Sequence, residues 1–549
     1  MMTDAIILAA QSIFLDPVTL GLIALGTFSG LIAGSIPGFT IAMGVILVLP
    51  FTFGLSPIQG VATMIGVFVG GLSGGLLSGM LIGIPGTPSS VATTFDGFPM
   101  VRSGRAGFAL ALGLWSSFFG GIISAILLVT LAPQLAFLGL EFGPWDYFML
   151  IVFALTIAVS LSSQNMLKGL TAGILGLIAA TVGEDEINGV ARFSFDTEAL
   201  RQGFAFLPVL IGLFAFSQLL SDVEDRTKAK SSMMNAEGES VRIEHLRAIR
   251  EIFSRWINLV RSSLIGVFVG ILPAAGGSIS NILAYDQAQK ASKVPEQFGK
   301  GVSDGIIAPE AANNATAGGA LMMMMALGIP GDIVTAVMIG ALMIHDIVPG
   351  PTFIQDKPVL AYGVFIAFFF ANFVMVFMMS GALRVFLKVA RVRLNILVAV
   401  ILAYCAFGVF ALHNIGFDLW VLFGFGIVGY IMKKLGFPLA PMILGVVLGK
   451  LAEINLSRAL AISDDIMLFV SRPWSLFFFL LAIVSVIFPF FQQARDESLL
   501  KRFFVPLSLV VLALPLFVMD SYTRMTVGIL MIVFAAWQLR KKSFVPQNG

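Results

Sequence analysis

The sequence predicts an all-α, polytopic integral membrane protein with about 12 or more transmembrane segments. Of its 549 residues, 58% are hydrophobic and only 12% are charged, whereas charged residues make up roughly 25% of an average soluble domain. Apolar windows that are long enough, or nearly long enough, to cross a bilayer recur from Leu20 to Gln538. Their unbroken apolar runs favour helices over barrel strands, which alternate in segments of about ten residues.

Charge and cysteine content exclude several classes of protein. A formal net charge of +2 excludes a nucleic-acid binder with a broad basic face, because phosphate neutralisation needs many clustered cations. The single cysteine, Cys405, excludes a disulfide framework and a cysteine-based zinc site. We therefore expect the lipid bilayer as the main environment and no nucleic-acid partner.

One long hydrophilic stretch divides the chain. Residues 221–261 hold 8 Lys/Arg and 7 Asp/Glu, which is typical of a surface linker. The predicted organisation is a first transmembrane repeat at 17–220, the linker at 221–261, a second repeat at 262–491, and a C-terminal extension with two extra hydrophobic helices at 492–549.

Three landmarks recur in the same order on either side of the linker. Ser35-Ile36-Pro37-Gly38 corresponds to Ile271-Leu272-Pro273-Ala274, Gly83-Ile84-Pro85-Gly86 to Gly328-Ile329-Pro330-Gly331, and Gly203-Phe204 to Gly436-Phe437. The offsets are 236, 245 and 233 residues. Near-constant offsets indicate two related halves, and chance echoes among 57 glycines and 24 prolines are the alternative.

Loop charges predict that the halves are inverted. In four pairs of equivalent loops the net charge changes sign, for example from Arg102 and Arg105 to Asp346, Asp356 and Lys357. Loops rich in Lys and Arg stay in the cytoplasm, so equivalent loops lie on opposite sides of the membrane, with the linker and the C-terminus inside. Inverted repeats with discontinuous or re-entrant helices are the architecture of many secondary transporters.

The interrupted apolar stretches also predict a site. Pro-Gly breaks precede Thr87-Pro88 in the first half, which predicts Thr87 as the N-cap of a new helix with Pro88 in its first position. Free N–H groups there, with the hydroxyls of Ser89 and Ser90, would bind an anion. Asp332 takes the cap position in the second half, followed by Thr335. Asp332 could serve as the helix cap, bind a coupling cation or take up a proton. The alternative is that both interrupted segments are ordinary capped kinks.

A second polar stretch precedes an apolar helix. Exposing the polar side chains of Glu310, Asn313 and Asn314 to lipid costs free energy, so these side chains should face protein or water. Alternatively, Glu310 pairs with Lys300 at the membrane surface and serves the helix N-terminus. Asp96 and Asp304 are further candidates.

Two other classes of function stay open from the residues alone. Asp286 and Asp332 would be the pair in an intramembrane aspartyl enzyme, although the expected Gly-x-Gly-Asp and Pro-Ala-Leu motifs are missing. A passive anion channel is the other alternative. No phosphate-binding loop of an ATPase is present, and our expectation is a protein that is not an enzyme and needs no cofactor.

Several motifs carry a resemblance to a known family. They are the segments 83–90, 96–100 (Asp-Gly-Phe-Pro-Met), 104–107 (Gly-Arg-Ala-Gly), 308–314 (Ala-Pro-Glu-Ala-Ala-Asn-Asn) and 327–331 (Leu-Gly-Ile-Pro-Gly). The sequence closely resembles the large membrane subunit of bacterial tripartite tricarboxylate transporters over about residues 17–491. The resemblance implies a permease of the inner membrane that works with a small membrane subunit and a periplasmic solute-binding protein. It also implies uptake of a citrate-like di- or tricarboxylate, driven by a Na+ or H+ gradient through alternating access.

The resemblance and the helix-terminus chemistry together give the candidate site. The expected substrate-binding residues are Pro37, Gly38, Gly86, Thr87, Ser89, Ser90, Asn313, Asn314, Gly331 and Thr335. The expected coupling-ion residues, with Na+ as the possible metal, are Asp332, Glu310, Gly276, Gly277 and Ser278. One departure from the family pattern is Pro273-Ala274-Ala275-Gly276, where Pro-Gly-Ala-Gly is expected.

Overall fold

A computed structural model describes most of the chain. The described residues are 2–36, 39–161, 166–185, 189–224, 243–389, 402–403, 405–410, 414–493, 499–519 and 521–543. Their helices, in chain order, are α1 (Met2–Phe14), α2 (Pro17–Ser35), α3 (Ile41–Thr52), α4 (Pro57–Ile82), α5 (Val91–Arg102), α6 (Ala106–Gly139), α7 (Pro144–Leu161), α8 (Met166–Ala180), α9 (Glu198–Arg201), α10 (Phe206–Ile211), α11 (Ser217–Glu224), α12 (His245–Ser254), α13 (Trp256–Ile271), α14 (Gly276–Ala291), α15 (Asp304–Leu327), α16 (Ile333–Ile344), α17 (Phe353–Asp356), α18 (Pro358–Val389), α19 (Gly416–Lys434), α20 (Leu439–Ile462), α21 (Leu468–Ser471), α22 (Pro473–Gln493), α23 (Leu499–Val518) and α24 (Tyr522–Ser543). Short 3₁₀ turns cover Pro88–Ser90 and Pro295–Gln297, a π turn covers Gly212–Phe216, and β1 (Gly183–Glu184) pairs antiparallel with β2 (Ala191–Arg192).

The all-α membrane architecture is confirmed. Within the described ranges, eight helices are long and apolar enough to cross a bilayer: α2, α4, α6, α18, α19, α20, α22 and α24. The pair α12 and α13 would make a ninth span, although its axes are bent by 84°. Seven shorter apolar helices also occur there, and the predicted number of about 12 or more segments is reached only if some of these count as well.

The chain folds into two compact units, and each takes segments from both predicted halves. Unit one comprises Met1–Leu140 and Phe204–Leu435, and unit two comprises Glu141–Gly203 and Gly436–Gly549. These units cut across the predicted repeats, so the domain boundaries given above stay a prediction. Of the predicted linker, residues 225–242 lie outside the described part of the chain, and α12 begins at His245, within the linker.

Unit two holds α7, α8 and α20 to α24 with the small hairpin. Gly445 of α20 approaches the backbone of α8, where a Cβ would lie 2.8 Å from the Leu177 nitrogen. The buried Asp146 carboxylate accepts from the Ser475 hydroxyl at 2.5 Å and from Arg472 at 3.2 Å. In the C-terminal extension α23 and α24 pack on each other, and Phe504 stacks on Phe491 of α22.

In unit one, Asp16 fixes the start of α2. Its carboxylate accepts from the Thr19 hydroxyl at 2.6 Å, from Gln59 at 2.9 Å and from the Val18 backbone N–H at 3.0 Å. These hydrogen bonds, with that of Thr19 the largest, hold the pKa of Asp16 below its ordinary value, because each one stabilises the ionised form.

Two helix pairs of unit one pack at backbone contact through glycine. A Cβ at Gly34 of α2 would collide with the Gly71 carbonyl of α4, and a Cβ at Gly270 of α13 would collide with the Thr316 carbonyl of α15. The two glycines are 236 residues apart and the two carbonyls 245 residues apart, which are the offsets of the sequence landmarks. Small residues permit such close approach of membrane helices. The inverted relation of the two halves stays a prediction.

This packing predicts the effect of a single methyl group. Gly30→Ala puts a Cβ against the Val67 carbonyl and 2.8 Å from the Gly71 nitrogen, and overpacking of this kind costs about 1–3 kcal/mol. The matched control is Gly21→Ala on the same helix, where nothing lies within 4 Å of the added Cβ. Thermal unfolding in detergent should show a lower midpoint for Gly30→Ala only. Equal midpoints for the two variants would contradict the glycine contact.

Candidate functional site

The candidate site is built around α15. Every residue of this helix from Gly305 to Leu327 is buried, although it carries Glu310, Asn313 and Asn314. Helices α4, α5, α6, α13 and α14 all pack against it. Polar side chains at the centre of an apolar unit are costly unless they are hydrogen-bonded or hold a ligand.

The first tip, residues 83–90, follows α4. Gly83 ends α4 in the left-handed conformation (φ 76°), which glycine adopts without strain. Thr87 is then the extended N-cap of a 3₁₀ turn that leads into α5, with Pro88 in its first position, as predicted. The Ser89 and Thr87 hydroxyl oxygens lie 3.1 Å apart, and both side chains are buried.

The second tip, residues 328–335, repeats this geometry after α15. Gly328 ends α15 in the left-handed conformation (φ 72°), and Asp332 is the N-cap of α16. Its carboxylate accepts from the Thr335 backbone N–H at 2.8 Å and from the Thr335 hydroxyl at 2.8 Å. The predicted cap role of Asp332 is confirmed, and Thr335 is its partner in that cap.

A third broken element, residues 272–276, separates α13 from α14. Ala274 has φ 60° and Gly276 has φ 59°, a region that L residues other than glycine enter at a cost of about 1–2 kcal/mol. Ala274 is the position where the family pattern leads us to expect glycine. The departure from that pattern therefore places a methyl group in a strained backbone conformation.

Both tips reach the start of α14. A Cβ at Gly277 would lie 2.6 Å from Asn313 Oδ1 and 2.8 Å from Ser89 Cβ. A Cβ at the neighbouring Gly276 would lie 3.7 Å from Asp332 Cβ. Residues 276–279 are partly exposed, unlike most of α15. We call this meeting point the tip junction; it consists of Ser89, Gly276, Gly277, Asn313 and Asp332.

Asn313 presents an acceptor to the tip junction. Its amide nitrogen donates to the Leu72 carbonyl at 3.0 Å, and a flipped amide would set two oxygens against each other there. Its Oδ1 is buried and has no hydrogen-bond partner among the described residues. An acceptor oxygen attracts a cation or a hydroxyl donor and repels an ionised carboxylate. Asn314, by contrast, uses both amide atoms internally, with Ser73 and with the Glu310 carbonyl.

Glu310 lies in a separate polar network. Its carboxylate is fully buried and accepts from the Thr93 hydroxyl at 2.6 Å and from the Ser117 hydroxyl at 2.8 Å. Asn281 donates to Thr93 at 3.3 Å and accepts from the Ala92 backbone N–H at 2.7 Å. Within the described chain no Lys or Arg pairs with Glu310, so the predicted alternative pair with Lys300 is not formed. A buried carboxylate with only hydroxyl donors is suited to take up a cation or a proton.

Sequence reasoning missed Asn281 and Tyr285 on α14. Asn281 is four residues after Gly277 and therefore lies on the same helix face, so its spacing could have revealed it. Tyr285 donates to Asp96 at 2.8 Å. The buried Asp96 carboxylate also accepts from the backbone N–H groups of Gly299, Gly301 and Val302, at 2.7 to 3.0 Å. Asp96 thus ties α5 to the loop before α15.

Other predicted site residues have different environments. Pro37 and Gly38 lie outside the described residues. Gly86 and Gly331 pack against the Gly34 and Gly270 carbonyls, where a Cβ would collide. Ser90 donates to the Thr87 carbonyl at 2.9 Å, and Ser278 is half-buried.

The aspartate pair of the enzyme alternative is not assembled. Asp286 accepts from Lys290 at 2.7 Å on the exposed end of α14. Gly276, beside Asp332, is ten residues earlier on that helix, a separation of about 15 Å along its axis. In the described chain no hydrogen bond joins the two carboxyl groups, whereas aspartyl dyads hold them about 3 Å apart.

Comparison with known proteins places the sequence among membrane transport components. The model of the tripartite tricarboxylate transporter TctA family matches residues 20–444. An uncharacterized 52.8 kDa protein in the TAR-I ttuC' 3' region of Agrobacterium vitis is 32% identical over 493 residues, which is 89% of this chain and 97% of that protein. An uncharacterized protein in the TAR-II ttuC' 3' region of the same organism is 32% identical over 236 residues, 42% of this chain and 98% of that protein. No solved structure matches the chain.

The strained turn before α14 predicts a stabilising substitution. Ala274→Gly removes the methyl group at φ 60° and should stabilise the fold by about 1 kcal/mol. The control is Ala275→Gly, where φ is −69°. Glycine there only raises the entropy of the unfolded chain, which lowers the stability of the fold by roughly 0.5–1 kcal/mol. Thermal unfolding in detergent should shift the two midpoints in opposite directions. A lower midpoint for Ala274→Gly would contradict the left-handed turn.

Proposed function

We propose a function from one premise, which is that the chain belongs to the tripartite tricarboxylate transporter TctA family. We infer that it is the large permease subunit of a binding-protein-dependent secondary transporter in a bacterial inner membrane. It imports a di- or tricarboxylate with a Na+ or H+ gradient by alternating access. A small membrane subunit and a periplasmic solute-binding protein are its partners, and the linker and the C-terminus face the cytoplasm.

The tip junction is the observation that carries this proposal. Two helix breaks, 245 residues apart in the sequence, come to one partly exposed helix start in unit one. Such meeting points of broken helices are where secondary transporters bind substrate and ion, because free N–H groups and carbonyls become available there without exposure to lipid.

The polar groups on the two sides of the tip junction fit different ligands, the substrate and the coupling ion. The first tip offers the buried hydroxyls of Thr87 and Ser89 as hydrogen-bond donors, so we assign it to a substrate carboxylate. Asn313 Oδ1 is an acceptor, so it fits the coupling cation or a substrate hydroxyl better than a carboxylate. Asp332 beside Gly276 adds a negative group on the cation side.

Glu310 is the second candidate for coupling. It is buried between α15, α5 and α6 with two hydroxyl donors and, in the described chain, no basic partner. A charge in that position costs several kcal/mol unless it is compensated. Binding of a cation or proton to Glu310 would therefore change the energy of separating α15 from α5, and this change is the physical basis of coupling in the proposal.

Transport by the full chain with its small subunit in proteoliposomes tests the proposal. With the binding protein added and Na+ and pH gradients imposed separately, a panel of carboxylates should show uphill uptake that collapses with one gradient. Flux that only equilibrates would indicate a channel, and chemical alteration of the substrate would indicate an enzyme.

The same assay tests the role of Glu310 through the Glu310→Gln variant. The neutral amide should lower gradient-driven accumulation of the carboxylate by about 10-fold or more. Exchange of labelled for unlabelled carboxylate should persist, because exchange needs no net movement of the coupling ion. Glu296→Gln, on an exposed turn, is the matched control and should leave both activities unchanged. Unaltered accumulation by Glu310→Gln would remove this residue from the coupling path.

A further inference from the structure

A sharp bend joins α12 to α13. The two helices are separated only by Arg255, and their axes meet at 84°. Because α13 is apolar and runs into the core of unit one, α12 should lie along the membrane surface. Its side chains fit this position, since Leu246 and Phe253 are 85% and 55% exposed while Ala248 and Ile252 are buried. A short helix with such faces is typical of the interface between lipid and water.

Contacts to α6 hold α12 in place. Trp115 donates to His245 Nδ1 at 3.1 Å, the Arg247 guanidinium lies 4.4 Å from the ring centre of Phe108, and Phe119 packs edge-on against Phe253. These contacts fix the angle of the bend. The surface beside it is therefore a defined feature of unit one.

An open apolar groove of about 640 Å³ begins at this bend. Trp256, Ile257, Val260, Leu264, Phe268 and Leu283 are among its lining residues. From Trp256 to Phe268 the helix rises about 18 Å, close to the roughly 15 Å depth of one hydrocarbon leaflet. Trp256 is at the end where tryptophan is favoured at a membrane interface. The groove thus has the length of one acyl chain.

Four arginines lie on α12, at the bend and on α13, and one of them, Arg261, lines the groove. Arg247 pairs with Glu244, and Arg255 pairs with Glu251 and Asp304. Arg250 and Arg261 have no carboxylate partner in the described part of the chain.

A chain of hydrogen bonds fixes the orientation of Arg261. Arg261 lines the groove and donates to Asn258 Oδ1 at 2.7 Å, and Asn258 in turn donates to Asp304 at 2.8 Å. Its Nε has no hydrogen-bond partner among the described residues. A guanidinium held in this way matches a phosphate group.

We propose that this groove is a binding site for an anionic phospholipid, with one acyl chain along α13 and the phosphate at Arg261 and Arg250. A transmembrane helix of another protein would need an apolar stripe of about 30 Å. The groove cannot supply it, because α13 ends at Ile271 and the chain breaks before α14.

Quenching of Trp256 fluorescence tests the site. The full chain is reconstituted in vesicles that contain a small, equal fraction of either brominated phosphatidylglycerol or brominated phosphatidylcholine. The part of the fluorescence lost in Trp256→Phe defines the signal of Trp256. Phosphatidylglycerol should quench it several-fold more effectively than phosphatidylcholine. Equal quenching by the two lipids in the unsubstituted chain would overturn the proposal without any variant.

Two variants locate the selectivity. Arg250→Gln with Arg261→Gln should abolish the preference for phosphatidylglycerol, whereas Arg201→Gln, an exposed arginine paired with Glu198 in unit two, should retain it. A preference that survives the double substitution would place the lipid elsewhere. Protection of Trp256 from both lipids when the small membrane subunit is co-reconstituted would assign the groove to a protein partner and overturn the proposal.

Discussion

Close contact between helix backbones at glycine is the constraint on which the site depends. Gly34 and Gly270 let their helices touch α4 and α15, and the backbone carbonyls of these two glycines contact Gly86 and Gly331 of the tips. A side chain at any of these four positions would push a tip away from the start of α14. The positions of Ser89 and Asp332 therefore depend on these glycine contacts. Membrane helices gain little from apolar burial against each other, so this packing is a main source of their specificity.

The two predicted halves both contain these glycine contacts and differ in polarity. At the offsets of 236 and 245 residues, the counterparts of Gly277, Asn281, Glu310 and Asn313 are Ile41, Val45, Ile65 and Phe68. The first half is thus apolar where the second half is polar. This asymmetry divides the polar groups, since α14 and α15 supply the acceptors and the first tip supplies hydroxyl donors. Such a division suits a solute anion that moves together with a cation.

Sequence reasoning predicted the helical membrane class, the helix breaks and both caps, because Pro-Gly pairs and cap residues act locally. It could not predict which polar residues meet. Asn281 reaches Thr93 from 188 residues away, and the Asn313 amide is oriented by the Leu72 carbonyl; such contacts depend on helix packing and leave no local pattern. Sequence reasoning also gave Asn313 and Asn314 the same role. In the structure Asn313 presents an acceptor oxygen to the tip junction, whereas the Asn314 amide is hydrogen-bonded within unit one. The strain at Ala274 could not be predicted, because it depends on a positive φ angle that no sequence pattern indicates.

The meeting of the first tip with α14 is the central claim, and a disulfide tests it most directly. In a chain with Cys405→Ala, cysteines at Ser89 and Gly277 would have β-carbons close to the roughly 3.8 Å that a disulfide needs, after a small shift from the 2.8 Å contact. Gly277→Cys with Gly350→Cys, where nothing lies near the second glycine, is the control pair. Oxidation should link the first pair alone and stop the proposed carboxylate uptake until a reductant restores it. A folded double variant whose two thiols stay free under oxidant would contradict the account.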